Sequence, residues 1–250
     1  MRDFADLVAE ADAAPIAGWD FSWLDGRATE ERPPWGYARM MARRWAGASA
    51  ALDLQTGGGE VLAEAGAYPP VAVATEVWPV NLAVATRRLH PLGVAVVGHD
   101  GVAPLPFADG AFDLVTSRHP VSTDWAEVGR VLAPGGSYLS QQVGPASMVE
   151  LSEAFLGPLP EADQWRRPED AVSAARAAGL ELVDLREATL RAEFHDVGAV
   201  VWILRQCPWW VPEFSVGRYA DALRRLDERM RDGGPFVAHS TRFLLELRRA

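Results

Sequence analysis

The chain has 250 residues, enough to bury a substantial core as one large domain or as a domain with a small cap. Its 49% hydrophobic and 23% charged residues are those of an ordinary globular protein, and no apolar run reaches the ~18 residues of a membrane span. A formal net charge of −10 argues against a nucleic-acid backbone as the main partner, and a single cysteine, Cys207, excludes an internal disulfide.

The basic side chains are all Arg, so lysine nucleophiles and Schiff bases are excluded. The start, Met1-Arg2-Asp3-Phe4-Ala5-Asp6, lacks the basic and apolar segments of a signal peptide, and a cytoplasmic location is expected. Phe4, Leu7, Val8 and Ala11 recur at helical spacing and predict an opening helix. An aromatic stretch follows (Trp19, Phe21, Trp23, Trp35, Tyr37) around Pro33-Pro34, and a second helix is expected from Tyr37 to Ala48.

Ala51-Leu52-Asp53-Leu54 is a short apolar run ending in an acid. The turn Gln55-Thr56-Gly57-Gly58-Gly59-Glu60 and a helix-like segment from Val61 to Ala67 come next. Strand, glycine turn and helix form a cradle for a nucleotide cofactor, because glycines admit the ligand to the backbone and the first helical N–H groups face it. A dinucleotide fingerprint would need a third glycine at 62, where the chain has Leu62. Val71 to Glu76 is a second buried strand ending in an acid, about twenty residues on, where a carboxylate accepts from both ribose hydroxyls.

A third strand is read in Gly93 to Gly101, a fourth in Ala111 to Ser117, and a turn, Arg130 to Gly136, leads into a fifth. Strands alternating with helices predict a parallel sheet covered on both faces, with ligands beyond the C-terminal strand ends. Asp53, Glu76, Asp100 and Ser117 sit at such ends. Pro168 to Leu180 is punctuated as a helix, and a sixth strand runs from Leu182 to Phe194. Two further helices, Val197 to Arg205 and Arg218 to Met230, enclose the aromatic loop Cys207-Pro208-Trp209-Trp210-Val211-Pro212. Arg242 to Leu247 is the seventh strand.

Asp53 followed by glycines at 57 and 59 resembles the D-x-G-x-G-x-G motif of class I S-adenosylmethionine (SAM) methyltransferases, of the methyltransferase type 11-like kind. The strand ending in Glu76, His99-Asp100-Gly101, Phe112-Asp113-Leu114-Val115 and Arg130-Val131-Leu132-Ala133-Pro134-Gly135-Gly136 follow in the family's order. The resemblance implies a Rossmann-like α/β fold with a seven-stranded, mostly parallel sheet whose last strand inserts antiparallel between the fifth and sixth. It implies one methyltransferase domain over residues 1–250: an N-terminal helical arm or lid over 1–50, a SAM-binding core over 51–145, and a C-terminal half (146–250) with a helical cap at about 196–234 forming the substrate pocket.

Carried over by position, Asp53, Gln55, Thr56, Gly57, Gly58 and Gly59 would hold the methionine part of SAM. Glu76 would bind the ribose, Val77, Asp100 and Gly101 the adenine, and Ser117, at the end of its strand, would also bind the cofactor; S-adenosylhomocysteine (SAH) would be the product. Gln55 stands where the family usually has its first glycine, where it would crowd the methionine end or donate an amide to its carboxylate.

Methyl transfer from a sulfonium needs mainly proximity, orientation and exclusion of water, and a base only where the acceptor must lose a proton. His119, in Ser117-Arg118-His119-Pro120, is the candidate base; the alternative is a histidine hydrogen-bonded within its loop. That tetrapeptide is not the Asn/Asp-Pro-Pro-aromatic motif of enzymes that methylate amide or adenine nitrogens. With no Cys pair and no His-x-x-x-His, no metal is expected. His99 is read as shaping the adenine end and Cys207 as buried and inert.

Ten tryptophans suit a pocket for a flat or apolar substrate, against the plainer reading of core packing. The sequence therefore predicts a SAM-dependent methyltransferase acting on a small aromatic or apolar molecule. An RNA methyltransferase and a non-catalytic SAM-binding regulator are the alternatives, and a homodimer is left open.

Overall fold

The computed structural model describes every residue except Met1, Ala17, Asp100, Val102 and Ala103. The expected parallel strands are β2 (Ala50–Leu54), β3 (Val71–Glu76), β4 (Ala95–Gly98), β5 (Phe112–Arg118) and β6 (Leu132–Val143). Ladders run parallel from β4 to β3, β3 to β2, β2 to β5 and β5 to β6. The central strands read as continuous apolar runs because both faces are covered. On one face Ala51, Ala72 and Ala74 pack with Met41 and Trp45 of a helix over Tyr37–Gly47, and with Leu89 of a helix over Pro79–Leu89. On the other, Leu52, Leu54 and Val115 meet Val128 and Val131 of a helix over Trp125–Val131, and Val172 of a helix over Pro168–Ala177.

The last strand, β8 (Phe236–Arg249), runs antiparallel to β6, with pairs from Ser137↔Arg248 to Val143↔Arg242. It lies between β6 and β7 (Leu180–Phe194), as the resemblance implied. The strand order is β1-β7-β8-β6-β5-β2-β3-β4, and the sheet has eight strands where seven were expected. The extra one, β1 (Ala28–Glu30), pairs antiparallel with residues 192–194 of β7. Three residues are too few to show a period-2 pattern in sequence.

The helix expected over 61–67 is a single turn, Glu60–Ala63. Its end is tightened by Ala65 N–H donating to Leu62 O, and Gly66 follows at a φ of +74°. Arg130 of the P-G-G turn motif has a structural task. Its guanidinium donates to Phe107 O at 2.7 Å, Leu105 O at 3.0 Å and Asp109 Oδ1 at 2.8 Å, fixing the loop that leads into β5.

The chain divides into two compact units. One comprises residues 33–144, 166–188 and 242–250, and holds the parallel strands. The other comprises residues 1–32, 145–165 and 189–241. Its core joins the opening helix (Phe4–Ala13) to the helix over Val197–Gln206 through Leu7, Val8, Ala11, Val201 and Leu204. Gly198 permits that approach, since a Cβ there would stand 2.9 Å from Leu7 O. One aromatic cluster in this unit joins six rings: Trp23 stacks on Trp202 at 5.7 Å, Phe21 meets Trp202 edge-on, Trp19 joins Phe21 to Trp209, and Trp209 meets Trp210. No helix among the described residues is long and apolar enough to cross a membrane.

Candidate active site

β2 and β3 bring their terminal acids to one face of the sheet. The register sets Asp53 opposite Ala74 on one side and Thr116 on the other, and Glu76 lies two residues beyond Ala74. Asp53 is buried and accepts from Thr116 Oγ1 at 2.6 Å; Thr116 Oγ1 in turn accepts from the Trp45 indole N–H at 3.2 Å. Burial pushes the Asp53 carboxyl up to about 6, against the opposing pull of the Thr116 bond and the Arg118 charge.

Glu76 ties the glycine turn to the next helix. One carboxylate oxygen accepts Gly57 N–H at 2.7 Å; the other accepts Val77 and Trp78 N–H at 2.9 and 2.8 Å. An ionised carboxylate has about four lone-pair sites, so one remains for a ligand hydroxyl. Gly57 and Gly59 have φ of +65° and +77°, which keeps the turn tight and its N–H groups turned inward. A Cβ on Gly59 would strike Leu89 at 2.8 Å. Arg88 donates to Gly58 O and pairs with Glu60 across the outside of the turn.

Gln55 adopts a φ of +54°, the left-handed backbone that explains why glycine suits this position. Both ends of its amide are committed to the loop after β5: Nε2 donates to Ser122 O at 2.7 Å and Oε1 accepts Val121 N–H at 2.8 Å. Beside Glu76, Val77 is 45% and Trp78 43% exposed, an apolar shelf next to the acid. A Cβ on Gly101 would lie 3.6 Å from the Val77 side chain, so strand ends β3 and β4 meet there. Asp100, expected beside them, lies outside the described residues.

The sheet separates Ser117 from the acids. Register places it opposite Leu54, on the other face, where its hydroxyl shares a buried network with Tyr138 OH (2.7 Å) and Ser140 Oγ (2.9 Å). Its carbonyl accepts from Tyr37 OH at 2.9 Å.

His119 leaves β5 at a φ of +54°. Its main-chain N–H donates to Gln141 O at 2.7 Å, and its Nε2 stands 2.9 Å from Gln141 Nε2. The indole N–H of Trp35 fixes the roles: it only donates, and it holds Gln141 Oε1 at 2.8 Å. Gln141 therefore presents its NH2 to His119, whose Nε2 must be an unprotonated acceptor. Burial drives the His119 pKa well below the usual histidine value, assisted by the charges of Arg118, Arg242 and Arg166. Of the expected residues, Asp53, Gln55–Gly59, Glu76, Val77 and Gly101 gather around one strand-end cradle; Ser117 and His119 face other partners. Thr116 was not singled out by the sequence, and Trp35 and Tyr37 stood out there only as members of the aromatic stretch. A threonine inside the apolar run of β5 was the one signal available.

Fold and cradle are those of class I SAM-dependent methyltransferases, whose cofactor is S-adenosylmethionine, and residues 52–140, which hold the cradle, match the family model described as Methyltransferase domain. The fold is shared with a candidate methyltransferase from Bacillus halodurans (18% identity, TM-score 0.56, covering 98% of each chain). It is also shared with a SAM-dependent methyltransferase from Mesorhizobium loti (16% identity, TM-score 0.52, 86% of this chain and 99% of that one). A third similar structure is the [4+2]-cyclase SpnF (18% identity, TM-score 0.52, 98% and 91%). No curated protein matches the chain.

Proposed function

We propose that the protein transfers the methyl group of SAM to a small aromatic or apolar molecule. The observation that carries this reading is the Glu76 carboxylate, which organises Gly57, Val77 and Trp78 while keeping acceptor capacity beside an exposed apolar shelf. The residues fit the cofactor. Asp53 and the Gln55–Thr56–Gly57–Gly58–Gly59 backbone receive its methionine part, Glu76 the ribose, and Val77 with Gly101 the adenine. Ser117 supports the site through β5 rather than through its hydroxyl.

Bound SAM supplies an activated methyl group on a good leaving group. What the chain contributes is position and exclusion of water. His119, neutral and already accepting from Gln141, is a weak base. That suits an acceptor whose proton leaves after transfer rather than before it. The cyclase likeness marks the limit of argument from fold, so the reading rests on the site.

Calorimetric titration with SAM and with SAH tests it. Micromolar binding of both, followed by methyl transfer to a small aromatic acceptor, is the expected result. Binding of neither would remove the cradle assignment.

A further inference from the structure

A cleft of about 310 Å³ opens in the same unit as the cradle, between the loop after β5, the end of β6 and the start of the helix over Pro168–Ala177. Its apolar wall includes Pro120, Trp125 and Phe243. Its polar wall consists largely of donors. Gln142 Nε2 is buried there and makes no well-formed hydrogen bond among the described residues, the Tyr138 hydroxyl being in its electrostatic reach. Such an orphaned amide N–H costs stability unless a ligand completes it.

Arg166 holds a φ of +59°, and among the described residues it makes only long bonds, 3.5 Å to Pro120 O and 3.4 Å to Val121 O. Among the described residues no carboxylate lies within ion-pair distance of it, so most of its five N–H donors are unspent. Arg167 reaches Glu169 only at 3.6 Å, both side chains being more than half exposed. Arg167 caps the helix with no side-chain bond, and the helix opens towards the cleft at Asp170 and Ala171. Asp170 is the one carboxylate in the lining and sets the limit on how much negative charge is welcome. Arg118 and Arg242 add to a positive potential that is also felt at the neighbouring His119.

We propose that this cleft binds a small aromatic carboxylate, the carboxylate on Arg166 and Gln142 Nε2 and the ring against Trp125. Two unspent donor groups select an acceptor with two oxygens, and a guanidinium prefers a carboxylate to a neutral amide. The volume, at the small end of ligand sites, admits one or two rings. Asp170 disfavours a dianionic phosphate. The cleft meets the cradle through Gln55, whose amide holds Val121 and Ser122 on the cleft rim. The proposal rests on the methyltransferase reading for its meaning, in that the carboxylate is then the methyl acceptor's handle. The binding itself does not depend on it.

The test is calorimetry with 1-naphthoate and 1-naphthamide, on protein alone and on protein saturated with SAH. Naphthoate is expected to bind at least about tenfold more tightly than the amide, the worth of a charge-assisted bond. Arg166→Asn, which keeps a residue tolerant of positive φ, and Gln142→Glu, which replaces the donor with a charge, should each remove that preference. Neither variant should alter SAH affinity. Equal binding of acid and amide, or naphthoate binding untouched by both variants, overturns the proposal. Failure of SAH to bind while naphthoate still binds through Arg166 would strike the cofactor reading and leave the cleft assignment standing.

Discussion

Gln141 donates its side-chain NH2 to His119 Nε2 across 2.9 Å, and the Trp35 indole compels that polarity by occupying the Gln141 oxygen. The imidazole is thereby fixed as the Nδ1–H tautomer and kept neutral by burial and nearby arginines. Nitrogen-15 imidazole spectra should show His119 with an unprotonated Nε2 at pH 6, where an ordinary histidine is mostly charged. A protonated ring at that pH would refute the arrangement. The sign for stability follows. Between the depressed folded value and the ordinary one near 6.5, the unfolded chain binds more protons, so this group makes the fold weaken as pH drops through that window.

Replacing the bridging amide is a direct measure of its worth. Gln141→Leu leaves the Trp35 N–H and His119 Nε2 without partners in a site where Gln141 is only 4% exposed. At ~1–3 kcal/mol for each orphaned group, a loss of about 3 kcal/mol is expected in urea unfolding. A loss under about 1 kcal/mol would mean that neither bond persists in solution.

Asp53 titrates in the opposite sense. Its carboxyl is raised by burial to about 6, so the folded state holds the proton more tightly than the unfolded chain does. Stability from this group is therefore greatest below the unfolded value near 3.9 and falls as pH rises towards 6. Asp53→Asn keeps an oxygen for Thr116 and removes the charge, so it should flatten that slope and raise stability at pH 7 by roughly 2 kcal/mol. On the proposed function, SAM affinity should fall at the same time, by about tenfold or more, because the charge proposed to face the cofactor is lost. Unfolding curves at pH 4 and 7, with calorimetry beside them, read both effects.

What the sequence disclosed and what it hid divide by range. Acids at the ends of β2 and β3, the glycine turn and the parallel order were legible because each is a local pattern: an apolar run, a terminal carboxylate, a breaker. The position of β8 between β6 and β7 is not local, and entered only through resemblance. The partners of the candidate base were also hidden. Trp35 and Gln141 are 106 residues apart, and nothing near either of them announces the other. Gln55 was the reverse case. Its place in the glycine motif was plain, but its amide was expected to face the cofactor, and its true partners, Val121 and Ser122, lie across the strand ends.

Cys207 offers a simpler check of the other unit. It is 3% exposed, and burial pushes its thiol up to about 12. The thiolate is the reactive species, so the native protein should resist iodoacetamide at pH 8 and become alkylated only once unfolded. Rapid labelling of native protein would show that the core around the helix over Val197–Gln206 opens readily.

The Gln55 clamp makes two opposed contributions. Gln55→Gly removes the cost of holding a non-glycine residue at a φ of +54°, about 1 kcal/mol, and loses two neutral hydrogen bonds of about 1 kcal/mol each. Overall stability should therefore fall by only about 1 kcal/mol. The local effect should not be small, because the Val121 amide loses the acceptor that Gln55 Oε1 gives it while the rest of β5 keeps its ladder. Hydrogen exchange at Val121 should accelerate by about tenfold, with the amides of Leu114 and Thr116 unchanged. If Val121 exchanges no faster in the variant, the loop is held by its own turn and Gln55 merely occupies the site of a glycine.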